Sequence, residues 1–299
     1  CLFKPYAVRI SYANNLLSFL CHTDKRSLIL FVPTYGGGME IFMLLKDLTN
    51  IIEENYPIGL AYDWDNPGLI LGDWTQNVDK VMVTLDVTED VLNEAIECGC
   101  QCVISHHPLI FGGIKKINTS SKNGRIILNA AQHNTALYAA HTNMDTAPEG
   151  INKKLSDMFH LKNSEIIEKN IAFAGVGLGC IGDIDKISLR NFAILVKRIL
   201  HTPYVRLSGN LDQTINRVAV GSGSCSELIP AAIGMGADVI VTGDLKYHTC
   251  LDYAGEDFSI IDAGHFPTEH IVGEMFADIL KNADVEVVCS SQRDIFKIV

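Results

Sequence analysis

The chain has 299 residues, of which 47% are hydrophobic, and its formal net charge at pH 7 is −11. This length is sufficient for one large or two modest α/β domains with a buried core. The acidic balance and the lack of a basic stripe argue against direct nucleic-acid binding. No apolar run approaches the ~18 to 20 residues that cross a bilayer, so we expect a soluble protein without a membrane partner.

The first 38 residues differ in charge from the rest of the chain. They carry four basic residues and one acidic residue, a net charge of +3, whereas residues 39–299 carry 20 basic and 34 acidic residues, a net charge of −14. A basic, acid-poor N-terminal segment is typical of a transit peptide. Translated upstream sequence is the alternative interpretation, which Cys1 in place of methionine favours. In either case we expect residues 1–38 to be an extension outside the fold.

From Met39 onward, apolar spacing predicts helices that alternate with strands. An amphipathic helix opens at Met39 and ends before Pro57, and a turn-rich loop with Trp64 follows. The predicted strands are 78–85, 102–104, 135–140, 175–182, 204–207, 218–220, 238–242, 258–262 and 285–289. A predicted helix opens at Thr88, and the others span 123–133, 148–160, 188–200, 226–235 and 268–282.

This alternation predicts an α/β fold with largely parallel sheets. The two parts of the chain are alike in style, so we expect two related α/β halves, residues 39–165 and 166–299. We expect these halves to pack together with a cleft between them.

A glycine-rich segment, Gly221-Ser222-Gly223-Ser224, lies between a predicted strand and a predicted helix. It could cradle a phosphate group on helix N-terminal amides. The sequence lacks the full dinucleotide fingerprint and any Walker lysine, so a tight strand-to-helix turn is the alternative interpretation.

Nine cysteines are scattered along the chain without a disulfide-like framework. Cys98, Cys100 and Cys102 are spaced by two residues, unlike the Cys-x-x-Cys of structural zinc, and they lie where a helix should lead into a strand. We interpret them as small apolar side chains in a reducing compartment.

The pair His106-His107 directly follows the apolar run Cys102-Val103-Ile104, and Pro108 stops that strand. Side chains beyond the carboxyl ends of strands in open α/β sheets line binding crevices. Adjacent strand residues point to opposite faces, so a turn at Pro108 is needed to bring both rings to one place. Buried histidine pairs are costly unless they bind something, and a metal is the usual ligand.

Three further segments place histidines and acids after strand-like runs. His141 and Asp145 follow the run at 136–140, and His248 follows the run at 239–242. His265 and Glu269 follow the run at 259–262 and are four residues apart, across a loop and the first turn of a helix. Chance placement of ten histidines would not favour this pattern.

If five of these side chains converge, their chemistry indicates a metal centre. Three imidazoles and two carboxylates suit zinc, iron(II), manganese or nickel rather than calcium. Five ligands exceed what one catalytic zinc takes, so they suit two ions about 3.5 to 4 Å apart that share a bridging carboxylate. Such a centre makes hydroxide available near neutral pH, which is hydrolase chemistry. This set consists of His106, His107, Asp145, His265 and Glu269, with His141 and His248 as supporting or acid–base residues.

Each residue also has a structural interpretation. His141 or His248 could be a hydrogen-bonded histidine of the core, Asp145 could cap a helix or turn, and Glu269 could be a favourable first-turn acid. The sequence contains no Gly-x-Ser-x-Gly elbow and no zinc-deaminase signature.

Five segments together resemble the NIF-three-like (NGG-one interacting factor three-like) family, also called GTP cyclohydrolase 1 type 2 homologs. The resemblance extends from Met39 to Val299. The family's Trp-Asp-Asn-Val-Gly-Leu is similar to residues 64–69, which differ only at Pro67. The other four segments are 105–109, 141–145, 243–248 and 264–269. Taken individually, only the His-His-Pro element at 106–108 and the His-Thr-Asn-x-Asp element at 141–145 are specific for the family.

The resemblance implies a dinuclear metal centre that contains two divalent transition-metal ions, with all five ligands named above retained. It also implies two related α/β halves and a toroidal homohexamer with metal sites that face an internal cavity. The family name implies the opening of the guanine ring of GTP, and animal members are linked to transcriptional co-regulators.

Two hypotheses for function follow. The first is a metal-dependent hydrolase acting on a small nucleotide-like or cyclic-amide substrate, with His141 or His248 moving the proton. The second is a non-enzymatic metal-binding interaction protein, a partner of transcriptional co-regulators. We expect a cytoplasmic protein that is also nuclear under the second hypothesis, or a mitochondrial one if residues 1–38 are a transit peptide.

Overall fold

The computed structural model describes the backbone of residues 8–9, 19–22, 28–33 and 39–299, and side chains from residue 43 onward. Most of the segment 1–38 lies outside the described residues, so its nature as a transit peptide or upstream sequence stays a prediction. Its described parts form three strands: β1 (Val8–Arg9), β2 (Phe19–His22) and β3 (Leu28–Pro33).

The prediction of a helix from Met39 is wrong. Residues Met39–Leu44 form strand β4, which pairs with β3 and with β6 (Asn77–Val78), and helix α1 (Leu45–Asn55) begins only after it. The apolar residues at 41, 42 and 44 fit a helical spacing, but neighbouring strands supply hydrogen-bond partners that the sequence pattern does not show.

The described chain divides into two compact units. The first contains Cys1–Glu54, Gly68–Ala139 and Glu274–Ser291, and the second contains Asn55–Pro67, Ala140–Gly273 and Gln292–Val299. Each unit is therefore built from separate stretches of sequence. The two related halves, 39–165 and 166–299, stay a prediction.

The first unit is centred on a five-stranded sheet of order β16-β7-β8-β9-β5. The pairs among β16, β7, β8 and β9 are parallel, and β5 is antiparallel at one edge. Met82, Val103 and Leu137 of the sheet pack against Leu92 and Ile126 of two helices. The elements are β5 (Gly68–Leu71), β7 (Lys80–Thr84), α2 (Glu89–Glu97), β8 (Cys102–Ser105), α3 (Lys122–Gln132), β9 (Ala136–Ala139) and β16 (Glu286–Cys289).

The second unit contains a six-stranded sheet of order β10-β11-β13-β14-β15-β12. Its strands are β10 (Lys162–Lys169), β11 (Gly177–Ser188), β12 (Arg206–Ser208), β13 (Thr214–Val220), β14 (Val239–Thr242) and β15 (Ser259–Asp262). Its helices are α4 (Thr142–Thr146), α5 (Ile151–Met158), α6 (Leu189–Ile199), α7 (Ile229–Gly234), α8 (Tyr247–Asp252) and α9 (His265–Glu269). Helix α10 (Val272–Leu280) begins in this unit and continues into the first.

The predicted α/β class is confirmed, but the sheets are less parallel than expected. In the second sheet only β13, β14 and β15 pair in parallel, and the three other pairs are antiparallel. Strand β10 was not predicted, because its sequence Lys-Asn-Ser-Glu-Ile-Ile-Glu-Lys is mostly charged or polar and largely exposed at the sheet edge.

Two expectations from composition can be compared with the structure. No disulfide joins any of the seven cysteines whose side chains are described. Cys100, which lies between α2 and β8, and Cys102, the first residue of β8, are buried as predicted, but Cys98 is exposed, so the prediction is wrong for Cys98. Among the described residues, no helix is both long and apolar enough to cross a membrane.

Candidate metal-binding residues

The two adjacent histidines follow β8 in the first unit. The backbone amide of His106 donates to the carbonyl of Thr84 at 3.2 Å, and that of His107 donates to Leu85 at 2.9 Å. Ser105 Oγ donates to the His107 carbonyl at 2.8 Å and closes a turn. The two ring centroids lie 5.0 Å apart, and one nitrogen of each ring lies within 4.8 Å of the other ring's. This turn brings both imidazoles to one place.

In the second unit, two buried carboxylates lie close together. Asp145 in α4 is 8% exposed and Glu269 in α9 is 4% exposed. One oxygen of each carboxylate lies within 4.8 Å of the other. His265 Nε2 lies 2.8 Å from Glu269 Oε2, one helical turn away. Negative charges repel strongly at this separation where water is excluded, so the arrangement favours a bound cation.

The glycine-rich segment forms a turn that supports these carboxylates. The backbone amide of Ser222 donates to Asn152 Oδ1 at 2.9 Å, and that of Gly223 donates to Thr268 Oγ1 at 3.0 Å. Ser222 Oγ donates to Asp145 Oδ1 at 3.4 Å. Because these two amides already have protein acceptors, the tight-turn interpretation is favoured over a phosphate cradle.

Gly223 allows this turn to approach Glu269 closely. A Cβ at Gly223 would lie 2.1 Å from Glu269 Oε1 and 3.1 Å from His265 Nε2, and the φ angle of Gly223 is +57°. Only glycine meets both conditions without strain. The backbone at Gly223 therefore lies directly against the Glu269 carboxylate and the His265 imidazole, which face each other. Carboxylates and imidazoles are common metal ligands.

His141 is held by a buried aspartate. His141 Nδ1 lies 2.8 Å from Asp65 Oδ1, and the Asp65 side chain is inaccessible to solvent. The backbone amide and the hydroxyl of Thr142 donate to Asp65 Oδ2 at 3.0 and 2.6 Å. Burial raises the pKa of Asp65, but the hydrogen bonds from His141 and Thr142 outweigh burial and lower the pKa to about 2. Asp65 is therefore ionised at neutral pH.

Three of the predicted histidines share one arrangement, in which Nδ1 lies 2.7 or 2.8 Å from an aspartate oxygen. The pairs are His107–Asp86, His141–Asp65 and His265–Asp244. A carboxylate on Nδ1 favours the tautomer with its proton there and leaves the Nε2 lone pair for a metal or a proton.

Sequence reasoning gave these three aspartates no role. They lie 21, 76 and 21 residues from their histidines, so no local pattern connects the partners. Two signals were present in the sequence. Asp86 and Asp244 each lie two residues beyond the end of a strand, and Asp65 and Asp244 lie in the segments 64–69 and 243–248 that carry the family resemblance.

His248 lies in a different environment from the other predicted residues. It is exposed near the start of α8, and its ring contacts Tyr247 with centroids 5.4 Å apart. Among the described residues, no group of side chains suited to a metal includes His248.

Comparison with known protein families identifies the family of this chain. The sequence profile described as Duf34/NIF3 (NGG1p interacting factor 3) matches residues 43–295. The chain belongs to the Duf34/NIF3 family. This confirms the resemblance that the five sequence segments indicated.

Several proteins similar to this chain come from bacteria. A "GTP cyclohydrolase 1 type 2 homolog" of Clostridium perfringens is 33% identical over 86% of this chain and its own full length. A protein of the same name from Clostridium acetobutylicum is 38% identical over 75% of this chain and 85% of its own. A Staphylococcus aureus crystal structure has a TM-score of 0.80 at 30% identity, covering 86% of this chain and 99% of its own. A Bacillus cereus protein related to NIF3 has a TM-score of 0.79 at 26% identity, with the same coverage.

Proposed function

We propose that this Duf34/NIF3 protein is a metal-dependent hydrolase that acts on a small nucleotide or cyclic amide. The buried pair Asp145 and Glu269 carries this proposal. Burying two ionised carboxylates away from water costs several kcal/mol for each carboxylate unless nearby cations offset that cost. In the second unit His265 Nε2 lies 2.8 Å from Glu269 Oε2. An imidazole carries at most one positive charge and cannot balance two carboxylates, so a multivalent cation gives the better charge balance.

We further propose five ligands for two divalent ions: His106, His107, Asp145, His265 and Glu269. The imidazole and carboxylate donors suit zinc, iron(II), manganese or nickel. The close approach of Gly223 and the aspartates on two of the histidines support this assignment, because metal-ligating histidines commonly donate their second N–H to a carboxylate.

The bound ions would lower the pKa of water and polarise the bond to be cleaved. The chain would supply the proton transfers. With its Nδ1 held by Asp65, His141 would accept or donate a proton at Nε2. We propose His141 as the acid–base residue and keep His248, which is exposed near the start of α8, as a second candidate.

The substrate class rests on the relatives' names. Clostridial relatives are named GTP cyclohydrolase 1 type 2 homologs, which supports a nucleotide or a cyclic-amide substrate. The absence of disulfides among the seven described cysteines supports a reducing compartment such as the cytoplasm. Assembly as a homohexamer and binding to transcriptional co-regulators stay predictions.

The proposal is tested by counting metal ions per chain. Elemental mass spectrometry of untagged protein should find about two transition-metal ions per chain in the parent. His106→Ala/His107→Ala should lose at least one ion and the hydrolysis of GTP, with unchanged circular dichroism. The control is His133→Ala/His160→Ala, which removes two exposed imidazoles and should keep both ions. A parent that binds no metal after reconstitution would exclude the hydrolase and leave an interaction protein.

Asp86→Asn should weaken metal binding while leaving the ligands in place. The amide cannot accept the His107 Nδ1 proton as strongly as the carboxylate at 2.8 Å does. Loss of such a partner typically lowers metal affinity by about 10- to 100-fold. Competition with a chromophoric chelator measures this affinity. The control is Asp79→Asn. Asp79 is exposed and directly precedes strand β7, whereas Asp86 lies just after the end of that strand. Equal affinity in both variants would show that Asp86 does not support a ligand.

A further inference from the structure

Two aromatic side chains are stacked beside His141. The ring centroids of Tyr62 and Trp64 lie 5.7 Å apart with an interplanar angle of 10°. The Trp64 indole meets the His141 ring in a T-shaped contact with centroids 6.2 Å apart. Despite these contacts Trp64 is 61% exposed. One indole face is covered by Tyr62, so much of the exposed area belongs to the rest of the ring system.

The segment that carries these rings is fixed. The backbone amide of Tyr62 donates to Thr142 Oγ1 at 3.0 Å, and the amide of Asp65 donates to the Tyr62 carbonyl at 3.0 Å. The Asp65 carboxylate in turn accepts from Thr142 and lies against His141. The indole is therefore held in place before any ligand arrives, which lowers the entropy that binding must overcome.

A fixed and exposed indole next to an acid–base histidine is suited to one class of ligand. Every nucleobase has a flat π-face, and stacking of a base on an aromatic side chain does not depend on base identity. The negative charge of the chain does not favour a polyphosphate on its own, so a ring contact would contribute to binding.

We propose that Trp64, backed by Tyr62, is the stacking platform for the planar heteroaromatic ring of the substrate. This inference rests on the proposed hydrolase function and specifies its substrate as a nucleobase compound. A ring stacked on the indole lies beside His141, so the platform sets which part of the substrate meets the acid–base residue. Trp64 is thus a binding residue that determines specificity for planar rings.

The chain has two tryptophans, Trp64 and Trp74, so each can be observed alone. In full-length, metal-loaded Trp74→Phe protein, GTP and ATP should quench the fluorescence of Trp64, whereas tripolyphosphate, which has no base, should not. In Trp64→Phe protein the remaining Trp74, 43% exposed in the first unit, should not respond.

Calorimetry measures what the contact contributes to affinity. Trp64→Ala should raise the Kd for GTP by about tenfold, within the range of base–aromatic stacking. Trp64→Phe should lose less, and Trp74→Ala should match the parent. Equal Kd values for Trp64→Ala and the parent would overturn the platform. The platform would also be overturned if tripolyphosphate quenched the Trp64 fluorescence as strongly as GTP does.

Metal analysis of the same samples separates this inference from the proposed function. If the parent binds two ions but Trp64 does not respond to nucleotides, the platform is wrong and the hydrolase proposal stands. If Trp64 responds in protein that binds no metal, the platform stands and the hydrolase proposal is wrong.

Discussion

Gly223→Ala should remove at least one metal ion per chain from a protein that still folds. The new Cβ would lie 2.1 Å from Glu269 Oε1, far inside van der Waals contact. The turn cannot move away easily, because the Gly223 carbonyl accepts from the Gly243 amide at 2.7 Å and the Gly223 amide is bonded to Thr268. The Glu269 carboxylate must therefore move, and with it one of the proposed ligands.

Gly223→Ala should lower the free energy of unfolding only moderately, although it removes bound metal. A left-handed backbone angle costs an alanine about 1–2 kcal/mol, and displacement of a buried carboxylate adds to that cost. Urea denaturation of metal-free protein measures the loss in free energy of unfolding, and elemental analysis of the loaded protein measures the ions.

Gly234→Ala is the matched control for this substitution. Gly234 ends helix α7 in the same unit, and a Cβ there would meet no atom within 4 Å. This variant should bind the same number of ions as the parent. If Gly223→Ala also keeps its full complement of metal, Glu269 is not a ligand or its carboxylate can be displaced without consequence.

The strands that lead to the candidate residues could be predicted because they are buried on both faces. Strands β8, β9 and β14 are apolar or nearly so, β15 has an apolar centre between Ser259 and Asp262, and every residue in the four strands is buried. Such runs in parallel sheets are continuous rather than alternating. Their carboxyl ends locate His106, His141 and His265 along the chain, so the rule about strand ends found the histidines without knowledge of the pairing.

Elements defined by long-range partners could not be predicted in this way. Strand β5 at Gly68–Leu71 lies in a segment rich in turn residues and pairs with β9, nearly 70 residues further along the chain. For the same reason the aspartate partners of the histidines could not be predicted from the sequence, since Asp65 and His141 are 76 residues apart. Local spacing predicts which face is buried but not which distant group completes a hydrogen bond.

Asp65→Asn should destabilise the protein although it changes almost no volume. Four groups face this carboxylate: the His141 ring, the amide of Asn66, and the amide and hydroxyl of Thr142. An asparagine replaces one acceptor oxygen with an NH₂ donor that faces other donors. An unsatisfied buried pair of this kind costs about 1–3 kcal/mol in free energy of unfolding.

The pH dependence of this loss has a defined sign. The pKa of Asp65 is about 2 in the folded protein, below its usual 3.8. A lowered carboxyl pKa contributes stability that is fully present above the unfolded pKa and is lost as pH falls through the folded pKa. The stability difference between the parent and Asp65→Asn should therefore be constant near neutral pH and should narrow between about pH 4 and pH 2.

Urea titrations of the two metal-free proteins at pH 7, 4 and 3 give this difference directly, because all other carboxylates titrate in both. Asp79→Asn is the control, since Asp79 is an exposed aspartate that directly precedes strand β7. Its stability should follow that of the parent at each pH. A difference for Asp65→Asn that is the same at pH 7 and at pH 3 would show that the charge of Asp65 does not hold His141, and that the loss comes from packing alone.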